Sequence, residues 1–350
     1  MQKITGKFYI RALNFKELHV RILFVLIACL VRIGVCAVDV DFDYVFVGTS
    51  PIPMIEALYR SYTGSHVLIL EAAPTAGGAW QAIDICHLRN VDMGCHQIGQ
   101  NRDMKRFLEI YIGCKLVPMN DPYGLGQGLQ SSDSGAYFSR GCHELMTNLS
   151  LLAEANGVAV LLNHKLESVY LDFDREVAEI LTNGKRYTVS KIVVTPHSAI
   201  EVENIPNISK PTYSKHPHLY LLISDPTPVR FTYMNGFCGG VSRAINLTPF
   251  LPELEGTREQ LIVVQTHDVD CVLNASQFLE EFKKRGLIDS AASLITAESY
   301  VYQQPHFNLS EIQNAHPKAS IFFEMLHTEA IWNISQHVAR WEKVFKPFQR

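Results

Sequence analysis

Gly48-Thr49-Ser50 follows the apolar run Asp43-Tyr44-Val45-Phe46-Val47, and Glu71 ends a second such run, His66 to Leu70, 23 positions after Gly48. Between the two runs, Met54, Ile55, Leu58 and Tyr62 recur at helical spacing, and Gly64 stops the helix they define. Gly77 and Gly78 come next. The chemistry that suits this set is dinucleotide binding. Amides at a helix N-terminus face a pyrophosphate, and a carboxylate at the tip of the second strand accepts hydrogen bonds from ribose hydroxyls. Gly48, Thr49 and Ser50 are then the phosphate turn, Glu71 the ribose acceptor, and Gly77 with Gly78 the place where backbone closes on the ligand. The same βαβ unit without a ligand is the alternative.

These residues need a parallel sheet to hold them. Short β-branched and aromatic runs bounded by turns read as buried strands. A helix over Met104 to Tyr111, a helix from Cys142 to Asn156 ended by Gly157, and a strand Val158 to Leu162 continue the alternation. Asn183-Gly184 has the composition of a two-residue hairpin turn. Lys191 to Pro196 reads as a strand returning to the first sheet. From His197 to about Pro317, runs such as His218–Ile223, Arg230–Tyr233 and Leu261–Gln265 predict an antiparallel sheet, with an amphipathic helix at Phe278–Lys284. A strand at Ser320–Glu324 and a helix from Ile331 to Val344 close the pattern, and Asp121 to Gly135 is a Gly/Ser-rich loop.

The stretch from Asp43 to Trp80 resembles the opening of the flavin-binding superfamily that includes flavin amine oxidases, prenylcysteine oxidases and the Rab GDP-dissociation inhibitors. The resemblance rests on the strand, the glycine turn, the helix, the strand ending in Glu71, and Gly77-Gly78 beyond it; Gly78-Ala79-Trp80 is also similar to the inhibitor branch. Residues 137–196 repeat the family order, so the likeness covers roughly 43–196. It implies an α/β fold: a Rossmann-like FAD/NAD(P)-binding domain and a second, mainly antiparallel substrate domain. It implies FAD as cofactor, with Gly48, Thr49, Ser50, Glu71, Gly77, Gly78 and Trp80 around it, and the Val169 backbone offered to the adenine. Glu324 falls in the acidic slot beside the ribityl chain. His96, in Asp92-Met93-Gly94-Cys95-His96, matches the segment that passes the flavin ring and is the one candidate catalytic group. Ser50 and Pro53 stand where the family turn has glycines, and Phe323 precedes Glu324 where the closing motif has one.

The domains expected on this basis are 1–37 as a signal peptide or signal anchor, 38–196 plus 318–350 as a discontinuous FAD-binding domain, and 197–317 as the substrate domain. The leader reading comes from Lys3, Lys7, Arg11, Lys16 and Arg21 ahead of two apolar runs, Ile22–Val31 and Ile33–Val38, broken by Arg32, with Val35 and Ala37 at a cleavage site. Once the signal is removed no stable membrane span is expected. Asn148, Asn207, Asn246, Asn274, Asn308 and Asn333 each begin a glycosylation sequon, against roughly two expected by chance. Leader and sequons together predict a lumenal or extracellular protein of the secretory pathway. Six cysteines lie outside the leader, and their pairing is open. No CxxC, HExxH or EF-hand loop is present, so no metal site is expected.

Composition bounds the rest. At 47% hydrophobic and 19% charged residues the chain is globular, and a formal net charge of −4 argues against nucleic acid as a partner. The expected function is FAD-dependent oxidation of an amine, thioether or similar small organic substrate. The alternative is a non-catalytic carrier or interaction protein of the same fold that has lost its flavin. The oligomeric state is not readable from the sequence.

Overall fold

The computed structural model describes residues 39–94, 96, 98, 101–119, 130–131, 136–206, 208–235, 241–266, 274–326 and 335–349. The predicted leader lies outside them, as do Asn207, Asn333 and most of the Gly/Ser-rich loop. Val40–Arg350 form one compact unit.

The unit opens with the expected crossover: β1 (Phe42–Val47), α1 (Pro51–Tyr62) and β2 (Val67–Leu70). A tight turn at Gly78–Trp80 leads into the hairpin β3 (Ala82–Ile85) and β4 (Leu88–Asp92). α2 (Arg102–Phe107) widens into a π-turn over Leu108–Ile112, so the helix predicted at Met104–Tyr111 starts earlier and changes pitch. β5 (Leu116–Pro118), β6 (Gln130–Ser131) and β7 (Ala136–Phe138) precede α3 (Cys142–Ala155) and β8 (Ala159–Leu161). A meander follows: β9 (Ser168–Asp172), β10 (Val177–Thr182) and β11 (Lys185–Val194). Asn183 and Gly184 join β10 to β11 at φ 47° and 71°, the paired positive values of a type I′ turn. The second sheet takes β12 (Thr212–Ser224), β13 (Tyr233–Asn235), β14 (Val241–Asn246), β15 (Glu259–Thr266) and, beyond α4 (Ala275–Lys284), β16 (Ser293–His306). α5 (Leu309–Ala315), β17 (Phe323–Met325) and α6 (Ser335–Glu342) follow. The strand predicted at Ser320–Glu324 is displaced, because Pro317–Ile321 winds into a 3-10 turn before β17 begins.

The first sheet runs β8-β2-β1-β11-β10-β9, with β17 also pairing β11. β8, β2, β1, β11 and β17 are parallel to their neighbours, whereas β9–β11 form an antiparallel meander. The ten residues of β11 serve both parts. Alternate residues of β1 and β2 point to opposite faces. Phe46 and Ile69 pack with Ile55, Leu58, Leu145 and Leu149 of α1 and α3, while Val45 and Leu68 pack with Val169, Ile180 and Ile312 on the other side. Both faces are buried, which is why these strands read as unbroken apolar runs.

The second sheet is antiparallel in the order β16-β12-β15-β14-β13-β6. Tyr220 and Leu222 of β12 face the α1–α3 core; Leu219, Leu221 and Ile223 face α4. No helix among the described residues is long and apolar enough to cross a membrane. The described cysteines Cys86, Cys114 and Cys142 carry free thiols.

Candidate functional site

The mouth of the crossover is built from the end of β1 and the start of α1. Pro51 and Pro53 occupy the first and third positions of α1; their fixed φ suits a helix start, but neither has an N–H. Met54 N–H is already committed to the Ser50 carbonyl at 3.2 Å. Ile52 is therefore the one residue of the first three that carries an amide, where an ordinary helix presents a fan of them to an anion.

Glu71 stands at the tip of β2 as predicted, but its carboxylate is turned into the protein. One oxygen accepts both the backbone N–H of Thr49 at 3.0 Å and its hydroxyl at 2.6 Å. The other accepts Ala73 N–H at 2.8 Å. Thr49 Oγ1 in turn accepts Gly77 N–H at 2.8 Å. A carboxylate has about four acceptor positions, and three of these are taken by the chain itself. Glu71 is 7% exposed and Thr49 fully buried. Gly77 is needed for this closure. It sits at φ 133°, and a Cβ there would meet the Gln81 backbone at 2.7 Å.

A cavity of about 520 Å³ opens beside this network, within the range of small-molecule sites. It brings together Gly48, Thr49, Ser50, Gly78, Trp80 and His96 of the predicted residues. Thr195, His197, Tyr302 and Gln304 also line it and were not predicted, as does Arg243, which ends the sequence run Gly239-Gly240-Val241-Ser242-Arg243 and which the sequence offers either as a group that orients an anionic substrate or as a solvated surface arginine. Thr195 and His197 follow the C-terminal end of β11, where ligands of parallel sheets bind; that placement was the one readable signal for them. A larger groove of about 970 Å³ lies over Asp225–Arg258 and contains none of the residues predicted for the dinucleotide.

His96 is held face to face with Trp80, ring centres 4.4 Å apart and planes 15° apart. Its Nε2 lies 2.6 Å from the Ala79 carbonyl and 2.8 Å from that of Met93. Carbonyls only accept, so Nε2 carries the proton. Burial pulls the His96 pKa down to about 4, and the charge of Arg243 adds to this. The imidazole is thus neutral at ordinary pH and anchored to backbone. The segment leading to it is fixed by Asp92, whose carboxylate accepts the Tyr137 hydroxyl and, at 2.8 and 2.9 Å, the Cys142 N–H that opens α3. Burial drives the Asp92 pKa up to about 6 against those hydrogen bonds. Tyr220 O–H donates to the Asp92 carbonyl at 3.1 Å and accepts Gly94 N–H at 3.1 Å, tying this segment to β12.

Other expectations are corrected. The Val169 N–H is already given to the Glu201 carbonyl at 2.9 Å, and its own carbonyl accepts Glu203 N–H at 2.8 Å, so an adenine would find no free donor on this backbone. Glu324 does not line the cavity; it pairs with Arg60 on α1. Burial opposes the Arg60 charge, but Glu324 and then Glu56 outweigh it and raise its pKa. Asn148 and Asn246 are 3% and 4% exposed, so neither can carry a glycan in this fold. Asn274 and Asn308 are exposed, Asn274 capping α4 through Gln277 N–H. No group of described residues could hold a metal ion.

Among solved structures, a protein described as a protoporphyrinogen oxidase from Exiguobacterium sp. 255-15 matches at TM-score 0.56 and 10% identity, over 86% of this chain and 97% of that one. A Rab GDI from Plasmodium falciparum matches at TM-score 0.53 and 11% identity, over 88% and 99%. An oxidoreductase from Methanosarcina mazei matches at TM-score 0.53 and 12% identity, over 73% and 87%. No protein-family model and no curated protein matches the chain. The chain shares its fold with these two oxidoreductases and with the Rab GDI.

FAD does not fit the residues present. The ribose acceptor is turned inward, the adenine-side N–H is committed, the helix start has lost two donors, and the ribityl-side acid is paired elsewhere.

Proposed function

We propose that this chain, built on a fold shared by oxidoreductases and a Rab GDP-dissociation inhibitor, is a non-catalytic binding protein that works without a flavin. The observation that carries this reading is the closure of Glu71 by Thr49 and Ala73. One acceptor position of the carboxylate is left, so a ribose held through both of its hydroxyls would have to displace one of those donors and leave a buried group unsatisfied, at about 1–3 kcal/mol. The test is a spectrum of the purified chain, followed by titration with FAD. A colourless protein that takes up no FAD supports the reading, and a yellow protein, or stoichiometric uptake, overturns it.

A second reading, an FAD-dependent oxidoreductase acting on an amine or thioether, draws on the cavity that keeps Gly48, Gly78, Trp80 and His96 together. The same titration separates the two. The secretory location is proposed from the leader and the sequons, with Asn274 and Asn308 as accessible acceptors. If so, chain made in a eukaryotic secretory host loses mass on deglycosylation, and Asn274→Gln and Asn308→Gln each remove one glycan. An unshifted wild-type band counts against it.

A further inference from the structure

β16 is the outermost strand of the second sheet, and among the described strands it pairs with β12 alone. The register fixes where its backbone groups point. Leu261 of β15 turns both of its groups away from β12: its N–H goes to the Thr248 hydroxyl and its carbonyl to Leu247 N–H, each at 2.9 Å. Asp225 N–H, one position past β12, reaches the Arg258 carbonyl at 2.9 Å. Alternation then gives the odd-numbered residues of β12 to β15 and the even-numbered ones to β16. Pro217, which has no N–H, falls in the odd set, facing away from β16. The even residues pair with Glu298, Tyr300, Tyr302 and Gln304. Ala297, Ser299, Val301 and Gln303 therefore point their N–H and C=O groups out of the open side, where no other described residue bonds them.

An open edge is a template for another strand, and edges that must stay single are kept short or carry lysine or proline. β16 has 14 residues and no lysine or arginine. The register skips Ile295, and Pro305 stands near the other end, so 296–304 runs uninterrupted. Ser299, Val301 and Gln303 are exposed. Tyr213, Ile295 and Val301, at 52%, 46% and 47% exposure, place three of the seven exposed large hydrophobic residues described on β12 and β16.

We propose that β16 is a dimerisation edge, pairing antiparallel with β16 of a second copy of this chain about a two-fold axis at Tyr300. In that register Ser299 meets Val301 of the other copy and Ala297 meets Gln303, so every outward N–H and C=O from 297 to 303 finds a partner. An axis at 302 instead sets Ser299 against Pro305, which has no N–H to give. Charge selects the same register. Glu298, the one acidic residue of β16, comes opposite Tyr302 of the other copy, about 13 Å along the strand from the other Glu298. An axis at 298 would set the two carboxylates face to face. A strand without lysine or arginine offers an acidic peptide no counter-charge, whereas its own nearly neutral copy matches it. The assignment is independent of what the cavity binds.

The test is sedimentation equilibrium of the purified chain. Wild type is expected to dimerise with a dissociation constant below about 100 µM. Ser299→Pro removes one outward N–H from each copy and spares the bonds to β12, so it should raise that constant roughly tenfold or more; Ser299→Ala keeps the N–H and should leave it unchanged. Val301→Lys adds a charge at the edge without touching the backbone, and should weaken the dimer even if the proline variant fails to fold. In wild type, hydrogen exchange at Ala297, Ser299, Val301 and Gln303 should slow as concentration rises. Four results each overturn the proposal: a wild-type chain that stays monomeric up to about 100 µM, a dimer that Ser299→Pro and Val301→Lys leave intact, amides at 297–303 that exchange at the same rate dilute and concentrated, or assembly that grows past the dimer, since a two-fold edge pair is closed.

Discussion

Thr49 donates two hydrogen bonds, one from its backbone and one from its side chain, to the same oxygen of Glu71, 22 residues further along the chain. The hydroxyl also accepts the N–H of Gly77, so one side chain joins the phosphate turn, the ribose acceptor and the glycine pair. Thr49→Val keeps the shape and removes the hydroxyl, leaving a buried amide and a buried carboxylate oxygen each short of a partner. The expected loss is about 2 kcal/mol of unfolding free energy, read from urea denaturation midpoints. A variant as stable as wild type would show that this closure does not hold the turn.

Gly77 and Gly184 both have positive φ, but only Gly77 is crowded. Gly184→Ala meets no atom within 4 Å and carries the conformational penalty alone, about 1 kcal/mol. Gly77→Ala must also push the Gln81 backbone away, so its thermal midpoint should fall clearly further. Equal midpoints would contradict the close approach.

Glu56 is 1% exposed and accepts from Arg60 at 3.2 Å, from Trp341 Nε1 at 2.9 Å and from Arg340. Arg340→Ala leaves this carboxylate two donors, whereas Glu56→Ala strands a buried indole N–H and the partly buried Arg340, and leaves Arg60 with Glu324 as its remaining ion-pair partner among the described residues. Glu56→Ala is expected to cost about 3 kcal/mol and Arg340→Ala distinctly less. The reverse order in a denaturation series would refute the arrangement.

Asp92 and His96 give stability opposite pH dependences. Folding raises the Asp92 pKa, so its contribution is full below about pH 4 and is lost as pH rises to about 6, a change of about 3 kcal/mol. Folding lowers the His96 pKa, so its contribution is full above about pH 6.5 and is lost as pH falls through about 4. The stability of wild type minus that of Asp92→Asn should therefore decline from pH 4 to pH 6. The corresponding difference for His96→Gln should decline in the other direction, from pH 6.5 to pH 4. A flat difference in either series removes that residue from the account.

The framework was legible because its signals are local. Val45-Phe46-Val47, the spacing of Met54, Ile55 and Leu58, and Asn183-Gly184 each fix an element from a few neighbouring residues. β16 was missed because it is an edge strand with no fully buried residue, so it lacks the apolar run that marked β1 and β2. At the site, types and positions were readable but partners were not. Glu71 is where the spacing put it, yet the sequence does not say that Thr49 reaches it before a ribose can. Glu324 meets Arg60 across 264 residues, and Val169 meets Glu201 and Glu203 through an isolated parallel bridge to Val202 that no local pattern marks.

Glu56 ties the first helix to residues 340 and 341, and β1 lies between two strands that are both made after it, β2 at once and β11 more than a hundred residues on. On the ribosome, α1 can form early but cannot lock. Its inward acid has Arg60 at once but waits for Arg340 and Trp341 until residues 335–342 have emerged, so this architecture commits late in synthesis.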